Sequence, residues 1–356
     1  MGSIPFIIIA ILMLGLLILV HELGHFITGR LLGFKINEFS IGMGPKLFSK
    51  EKKGILYSLR AIPMGGFVAF YGEDGDEDDP RAMNNMPWYK RAIVMFSGAG
   101  FNILFALIIT AILTMSVGYY APEIYSVNEQ SGLYNVAQKG DLIYAVNGKT
   151  LADATEFQME LEKISADAVI NLTILRSGEK IDYSVKRYFD AESGGYLIGI
   201  QNTYGIVEPG FFESIGHSFR YNVWMTKTMY KTLWELVTGK ISLENVTGPI
   251  STIGQLSGIV EETANNEYVQ ELSFKERAAQ VIQTITQLLV IISMNLAIMN
   301  LLPIPALDGF RLLFALIEGV TKKHIPRKIE GIINAAGLIF LIGLMVVLEV
   351  SKIFTG

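Results

Sequence analysis

Residues 4–25 read IPFIIIAILMLGLLILVHELGH, and the order of those letters decides the fold. From Ile4 to Val20 no side chain is charged. At ~1.5 Å per helical residue such a run crosses most of a ~30 Å hydrocarbon core. It then meets His21-Glu22-Leu23-Gly24-His25. Two histidines four apart share a helix face about one turn from each other, so both can bind one zinc ion. The glutamate between them can serve as general base toward a water on the metal. Ionisable groups on an apolar helix are expensive in lipid and point to function. The pattern predicts hydrolytic metal chemistry at membrane depth rather than two histidines that only pack.

Composition supports the membrane. Of 356 residues, 51% are hydrophobic and 18% charged, against about 25% charged in a soluble domain. The net charge of −5 argues against a nucleic-acid role, and no basic cluster looks like a recognition element. There is no cysteine, so zinc must be held by His, Asp or Glu. The N-terminus lacks the positive region and small-residue cleavage site of a signal peptide, which predicts a retained first helix running to about Arg30.

Four apolar segments are expected to span: Ile4–Thr28, Ala92–Val117, Ala279–Leu302 and Ile332–Leu348. Basic residues from Arg30 to Arg91 and from Arg311 to Lys328 place loops 30–91 and 309–331 in the cytoplasm, with both termini and the long middle region outside. The acidic run Glu73 to Asp79 reads as a solvated loop, since acids count little in that rule. The expected fold is a polytopic α-helical membrane protein with about four transmembrane helices, a membrane-associated β-hairpin region and an inserted β-rich domain. Its parts are 1–120, the first half of the membrane core; 121–205, the β-rich insert; 206–278, amphipathic membrane-associated linker helices; and 279–356, the second half of the core.

In the first loop, Phe39–Pro45, the Lys52-Lys53-Gly54 turn, Ile55–Arg60 and Gly65-Gly66-Phe67-Val68-Ala69-Phe70 predict hairpins that dip toward the membrane. Gly65, Gly66 and Phe67 are candidate substrate contacts. The second span contains Ser97-Gly98-Ala99-Gly100-Phe101-Asn102, small residues that let helices approach closely. Asn102 is open to two readings, a packing amide or a substrate contact.

Lys139-Gly140-Asp141-Leu142-Ile143-Tyr144-Ala145-Val146-Asn147-Gly148, followed by an amphipathic stretch at 154–164 and a hairpin about Ser177-Gly178, resembles a PDZ domain. That resemblance implies a groove taking an extended peptide as an added strand, or a steric cap whose groove is unused. Phe211–Thr238 reads as an aromatic-rich amphipathic helix at an interface, with His217 expected at the surface rather than on a metal.

The third span ends in Asn300-Leu301-Leu302-Pro303-Ile304-Pro305-Ala306-Leu307-Asp308-Gly309. Two prolines two apart cannot continue a helix, so the backbone unwinds near membrane depth. A carboxylate there needs a partner, and a zinc ion on two histidines needs a third ligand. Asp308 answers both requirements.

Together these motifs resemble the site-2 protease family of intramembrane zinc metalloproteases, in its bacterial group with one PDZ domain, over essentially the whole chain. The resemblance implies one Zn2+ held by His21, His25 and Asp308, Glu22 as general base, and Asn300 binding substrate or stabilising the oxyanion. It implies a glycine-rich strand edge, with Pro303 and Pro305 in the unwound segment, meeting the substrate. The implied substrates are single-pass transmembrane proteins, such as anti-sigma factors or remnant signal peptides, cut after a prior external cut, in a bacterial cytoplasmic membrane. The implied partners are the bilayer and a peptide at the PDZ groove. Two positions depart from the family pattern: Ala99 stands where the family has proline, and Phe310 where it has glycine. Two other classes remain, a non-catalytic PDZ scaffold and a metal transporter.

Overall fold

The computed structural model describes residues 3–73, 75, 77–191, 194–242, 246–323 and 327–355, without the side chains of 64, 327, 328 and 351–355. Asp74 and Asp76 of the acidic run, and the Arg327 and Lys328 side chains, lie outside that description. In chain order the elements are α1 (Ile4–Leu31), β1 (Ile36–Lys52), β2 (Ile55–Phe70), α2 (Trp88–Val117), β3 (Tyr119–Val127), β4 (Leu142–Val146), β5 (Lys149–Thr150), α3 (Glu156–Glu162), β6 (Val169–Arg176), β7 (Glu179–Lys186), β8 (Tyr188–Asp190), β9 (Gly195–Leu197), β10 (Ile200–Val207), α4 (Phe211–Val237), α5 (Pro249–Asn265), α6 (Glu267–Glu271), α7 (Phe274–Asn300), α8 (Asp308–Thr321) and α9 (Arg327–Thr355). Four of the described helices are long and apolar enough to cross a membrane: α1, α2, α7 and α9 over Ile329–Val350. The chain forms two compact units, one of residues up to Ile109 and from Met225 onward, the other Thr110–Trp224.

In the first unit, α1 is apolar on every side, so its sequence marks no inner face. Packing chooses one. Ala10, Met13, Leu17, His21, Gly24 and His25 are buried, a stripe at helical spacing that packs on β2 and α5. β1 and β2 are more than a simple hairpin. Their tip is the Lys53-Gly54 turn, with φ of 54° and 74°, the mirror-image turn that suits strand twist. Farther in, Phe39–Ile41 are matched twice: to Val68–Gly66 with the numbering running in opposite senses, and to Tyr57–Leu59 with both rising. β1 thus lies inside a small curled sheet, and among the described residues the second half of β2 pairs on one side only. Its base joins α1 and α2 through Phe26, Phe34, Ile36, Phe39, Phe70 and Val94.

α7 begins with a Ser273–Glu276 capping box and ends at Asn300. Pro303 and Pro305 supply no N–H, and the chain turns irregularly through Ala306, at φ 77°, until Asp308 opens α8. α8 is tied to α2 by a buried ion pair between Arg91 and Glu318 and by Trp88 against Gly319. α9 has no fully buried residue in its most apolar stretch. It is held by polar contacts at each end. Asn334 accepts the Ala306 N–H at 3.1 Å, and Glu349 accepts the backbone N–H groups of Ile250 and Ser251 at 2.8 and 3.1 Å. Glu349 therefore caps α5, whose first amides have no intrahelical acceptor.

The second unit is a sheet in the order β10-β3-β4-β6-β7, with β5 paired to β4. Asn147-Gly148 and Ser177-Gly178 form the same mirror-image turns, at φ 48°/77° and 50°/88°. Ile124, Ile143, Ile170, Leu172, Ile174 and Val185 form the core with Phe157 and Leu161 of α3. Asp141, in the Gly-Asp turn, is buried and takes a two-pronged hydrogen bond from Arg176 at 2.7 and 2.6 Å. Against the desolvation that raises it, Arg176 and the Gln138 amide hold its carboxyl below the usual range. β10 is an edge strand, and a cavity of about 220 Å³ lies between it and α3, lined by Phe157, Leu161, Ile198 and Ile200.

α4 is amphipathic, as its pattern predicts, but it is turned inside out. Phe212, Phe219, Val223, Tyr230, Trp234 and Val237 are exposed and fall along one line at ~100° per residue. Ser214, His217, Ser218 and Asn222 are buried on the other side, where Asn222 Nδ2 donates to Thr110 Oγ1 of α2 at 3.2 Å. His217 is not at the surface as expected. It is 2% exposed and stacked on Tyr119, with ring centroids 3.8 Å apart. Burial, helped by the nearby Arg220 charge, pushes its imidazole down to about 3, so it stays neutral.

Candidate active site

Three donor atoms converge in the first unit. His21 Nε2 and Asp308 Oδ2 are 2.9 Å apart, His25 Nε2 and Asp308 Oδ2 3.0 Å, and the two Nε2 atoms 3.1 Å. His21 and His25 are buried and Asp308 half-buried. α1 presents the histidines from consecutive turns, and the break after α7 presents the carboxylate from the first residue of α8.

Two glycines let the helices come this close. A Cβ on Gly24 of α1 would stand 2.4 Å from the Ser97 carbonyl oxygen, and a Cβ on Gly98 of α2 would stand 2.4 Å from His25 Nε2 and 2.7 Å from His21 Nε2. The bare backbone at Gly98 is thus one wall of the ligand triangle. Gly309 plays the same part at the break, where a Cβ would meet the Leu301 and Leu302 carbonyl oxygens at 2.3 Å. His25 is oriented from behind, since its Nδ1 lies 2.8 Å from the Val94 carbonyl oxygen, which can only accept. Nδ1 then carries the proton and Nε2 is free as a ligand, the usual outer-shell arrangement for a metal-binding histidine.

The set fits zinc. Two imidazoles and a carboxylate, with no thiolate, are a known catalytic combination that leaves one position open. Donors about 2.0–2.2 Å from one tetrahedral ion lie roughly 3.3–3.5 Å apart, so the triangle need open by only a few tenths of an ångström.

A cavity of about 280 Å³ opens on this triangle. Of the residues singled out in the sequence, His21, Glu22, Asp308, Asn300, Gly65 and Gly66 line it. His25 is not among its lining residues. Met43 of the Phe39–Phe70 region and Ala306 and Leu307 of the unwound segment also line it, with Ile18 and Leu296, which pattern reading missed. Neither of those two carried a local signal. Four expected substrate contacts are not among its lining residues. Phe67 lies under the Arg60 guanidinium, 4.9 Å from its ring centre. Pro305 packs on Gly337 of α9, and Pro303 belongs to the turn that ends α7. Asn102 is wholly buried, with Nδ2 3.5 Å from His21 Nδ1, on the far side of that ring. The two departures from the family pattern are accommodated by packing: Ala99 is fully buried, and Phe310 packs on Phe314 with ring centroids 4.4 Å apart.

A hydrolytic metal centre built on helices of membrane-spanning length defines a membrane zinc metalloprotease. Comparison with known proteins supplies the family. The model of Peptidase family M50 matches residues 9–344, and the chain belongs to that family, the site-2 proteases. Similar proteins include a Clostridium perfringens chain named "Putative zinc metalloprotease", 34% identical over 98% of this chain and 98% of its own length. One of that description from Nostoc sp. is 35% identical over 96% and 94%. The chloroplastic membrane metalloprotease of Arabidopsis thaliana is 31% identical over 98% of this chain and 79% of its own. Among solved structures, a PDZ domain of a Listeria innocua protein covers 23% of this chain and 92% of its own, at 20% identity and a TM-score of 0.22, a likeness too slight to carry weight.

Proposed function

We propose that this protease cuts transmembrane segments of single-pass membrane proteins within the bilayer. The observation that carries the proposal is the place of the site: its donors stand on α1 and at the broken end of α7, both of spanning length, and its cavity lies between them. His21, His25 and Asp308 would hold the zinc, which when bound supplies a Lewis acid that polarises the scissile carbonyl and acidifies water. Glu22, on the cavity wall, takes the proton of the attacking water and returns it to the leaving amine as the C–N bond breaks. Asn300, also on the wall, donates its side-chain amide to the carbonyl oxygen as charge develops there.

A substrate helix must unwind to be cut, and each unpaired backbone group in lipid costs several kcal/mol. The second half of β2 offers replacement partners. It pairs on one side only, Gly65 and Gly66 line the cavity, and the Val68 amide lies toward the Glu22 carboxylate. The substrate, extended, adds there as a strand. The insert is a PDZ-type unit, a reading supported by its Gly-Asp and Asn-Gly turns and by the groove between β10 and α3. It admits substrates already trimmed outside, and the basic loops support a position outside a bacterial cytoplasmic membrane.

The transporter reading has little beyond Glu349 near one end of span four, and Glu349 is engaged in capping α5. The scaffold reading has no use for Glu22. The deciding experiment is cleavage of a model transmembrane peptide by purified protein, wild type against Glu22→Gln, with zinc measured in both. Zinc retained with cleavage lost is the expected result; equal cleavage overturns the proposal.

A further inference from the structure

His21 can offer Nε2 to a metal only when the proton of its neutral ring sits on Nδ1. His25 has this arrangement built in through the Val94 carbonyl. Among the described residues His21 has no carbonyl hydrogen-bonded to its Nδ1. Its Nδ1 faces Asn102, which is wholly buried on α2 one turn beyond Gly98, with Nδ2 3.5 Å away and Oδ1 unpartnered among the described residues. An amide nitrogen in that place would give its proton to Nδ1 and leave the imidazole proton on Nε2, the atom that must bind metal. Turning the amide half a turn about its last side-chain bond sets Oδ1 against Nδ1 at no change in volume. The turn exchanges one unpartnered amide atom for another, so the need of His21 decides which way the amide points. The backbone at this position is also fastened, since Ser293 of α7 donates to the Asn102 carbonyl at 2.9 Å.

We propose that Asn102 is the positioning residue for His21: its Oδ1 accepts the Nδ1–H and presents Nε2 to the zinc. The two histidines are then served alike from α2, one by the backbone carbonyl of Val94 and one by the side chain of Asn102. This inference rests on the reading of His21 as a zinc ligand.

The test is zinc affinity of the purified full-length protein in detergent, by competition with a chelator at neutral pH. It compares wild type, Asn102→Leu, Asn102→Ala, Asn102→Asp and His21→Ala. Loss of an outer-shell partner weakens zinc binding about 10–100-fold, and that is the expectation for Leu and Ala. Asp keeps an acceptor at the same place and is expected to bind zinc at least as tightly as wild type. Wild-type affinity in the Leu and Ala variants overturns the proposal. So does an Asp variant as weak as Leu, which would mean that Asn102 matters for packing alone; should Leu disturb the fold, Ala and Asp decide the matter. Zinc binding unaffected by His21→Ala would instead bring down the ligand reading, and this inference with it.

Discussion

A methyl group separates a working ligand triangle from a blocked one. Gly98 has no side chain, and the space a Cβ would take is filled by the Nε2 atoms of His21 and His25, the proposed ligands. Neither histidine can retreat, because Gly24 already sets α1 against the Ser97 carbonyl. Gly98→Ala is therefore expected to lower zinc affinity by at least the ~10–100-fold that follows loss of an outer-shell partner. Gly100→Ala is the control, since a Cβ there meets only the Phe96 ring at 3.3 Å. Bound zinc after dialysis of the two variants checks this. The sequence displayed both glycines beside small neighbours, and small residues do mark close helix packing. It could not say which glycine faces a metal ligand, because that depends on the rotation of α2 about its axis.

At the scale of single elements, β2 and α4 carry the functional argument. The free edge of β2 works through backbone N–H and C=O groups, and proline removes one donor and adds a ring on the edge. Proline substitutions across Gly65–Phe70 are expected to cut cleavage of a transmembrane peptide strongly while zinc content stays at the wild-type level. Unaltered cleavage across the series would rule out strand addition. α4 is a helix whose apolar residues Phe212, Phe219, Val223, Tyr230 and Trp234 are exposed. Its Asn222 meets Thr110, seven residues before the end of α2, or ~10 Å of helix. That depth matches a helix lying in the headgroup and acyl boundary with its aromatic side in lipid. The chain has no cysteine, so single labels need no altered background. Spin labels at Phe212, Phe219, Val223, Tyr230 and Trp234 in proteoliposomes should be accessible to oxygen and shielded from a water-soluble nickel reagent. Labels open to the nickel reagent would place the stripe in water.

The whole molecule is a membrane core interrupted by a β-rich unit, and the interruption is cleanly made. β3 begins directly after α2, β10 leads to α4, and their ends are neighbours, with Tyr120 opposite Ile206. Cross-strand partners lie ~5 Å apart, so excising residues 121–205 joins two chain ends that already meet. Such a deletion is expected to let the protease cut substrates that keep a bulky external domain, while trimmed substrates are cut as before. Continued refusal of untrimmed substrates would remove the gate role from this unit.

The sequence by itself determined what depends on near neighbours in the chain. It determined the four spanning helices, which need only a long enough apolar run, and the tight turns at Lys53-Gly54, Asn147-Gly148 and Ser177-Gly178. The helix break at Pro303 and Pro305 follows from missing N–H groups and was equally legible. So was the histidine pair, because four residues make about one helical turn. Tertiary structure alone decided which side of α1 faces inward, since a helix apolar all round has no marked face. It brought Asp308 to His25 across a separation of 283 in the numbering. It also set Gly98 against the histidines, placed Asn102 behind His21 rather than in the cavity, and buried His217 on the inner side of α4. Each of these is a contact between distant segments, fixed by how their shapes close on one another in lipid, where the usual rule of apolar inside and polar outside no longer orients a helix.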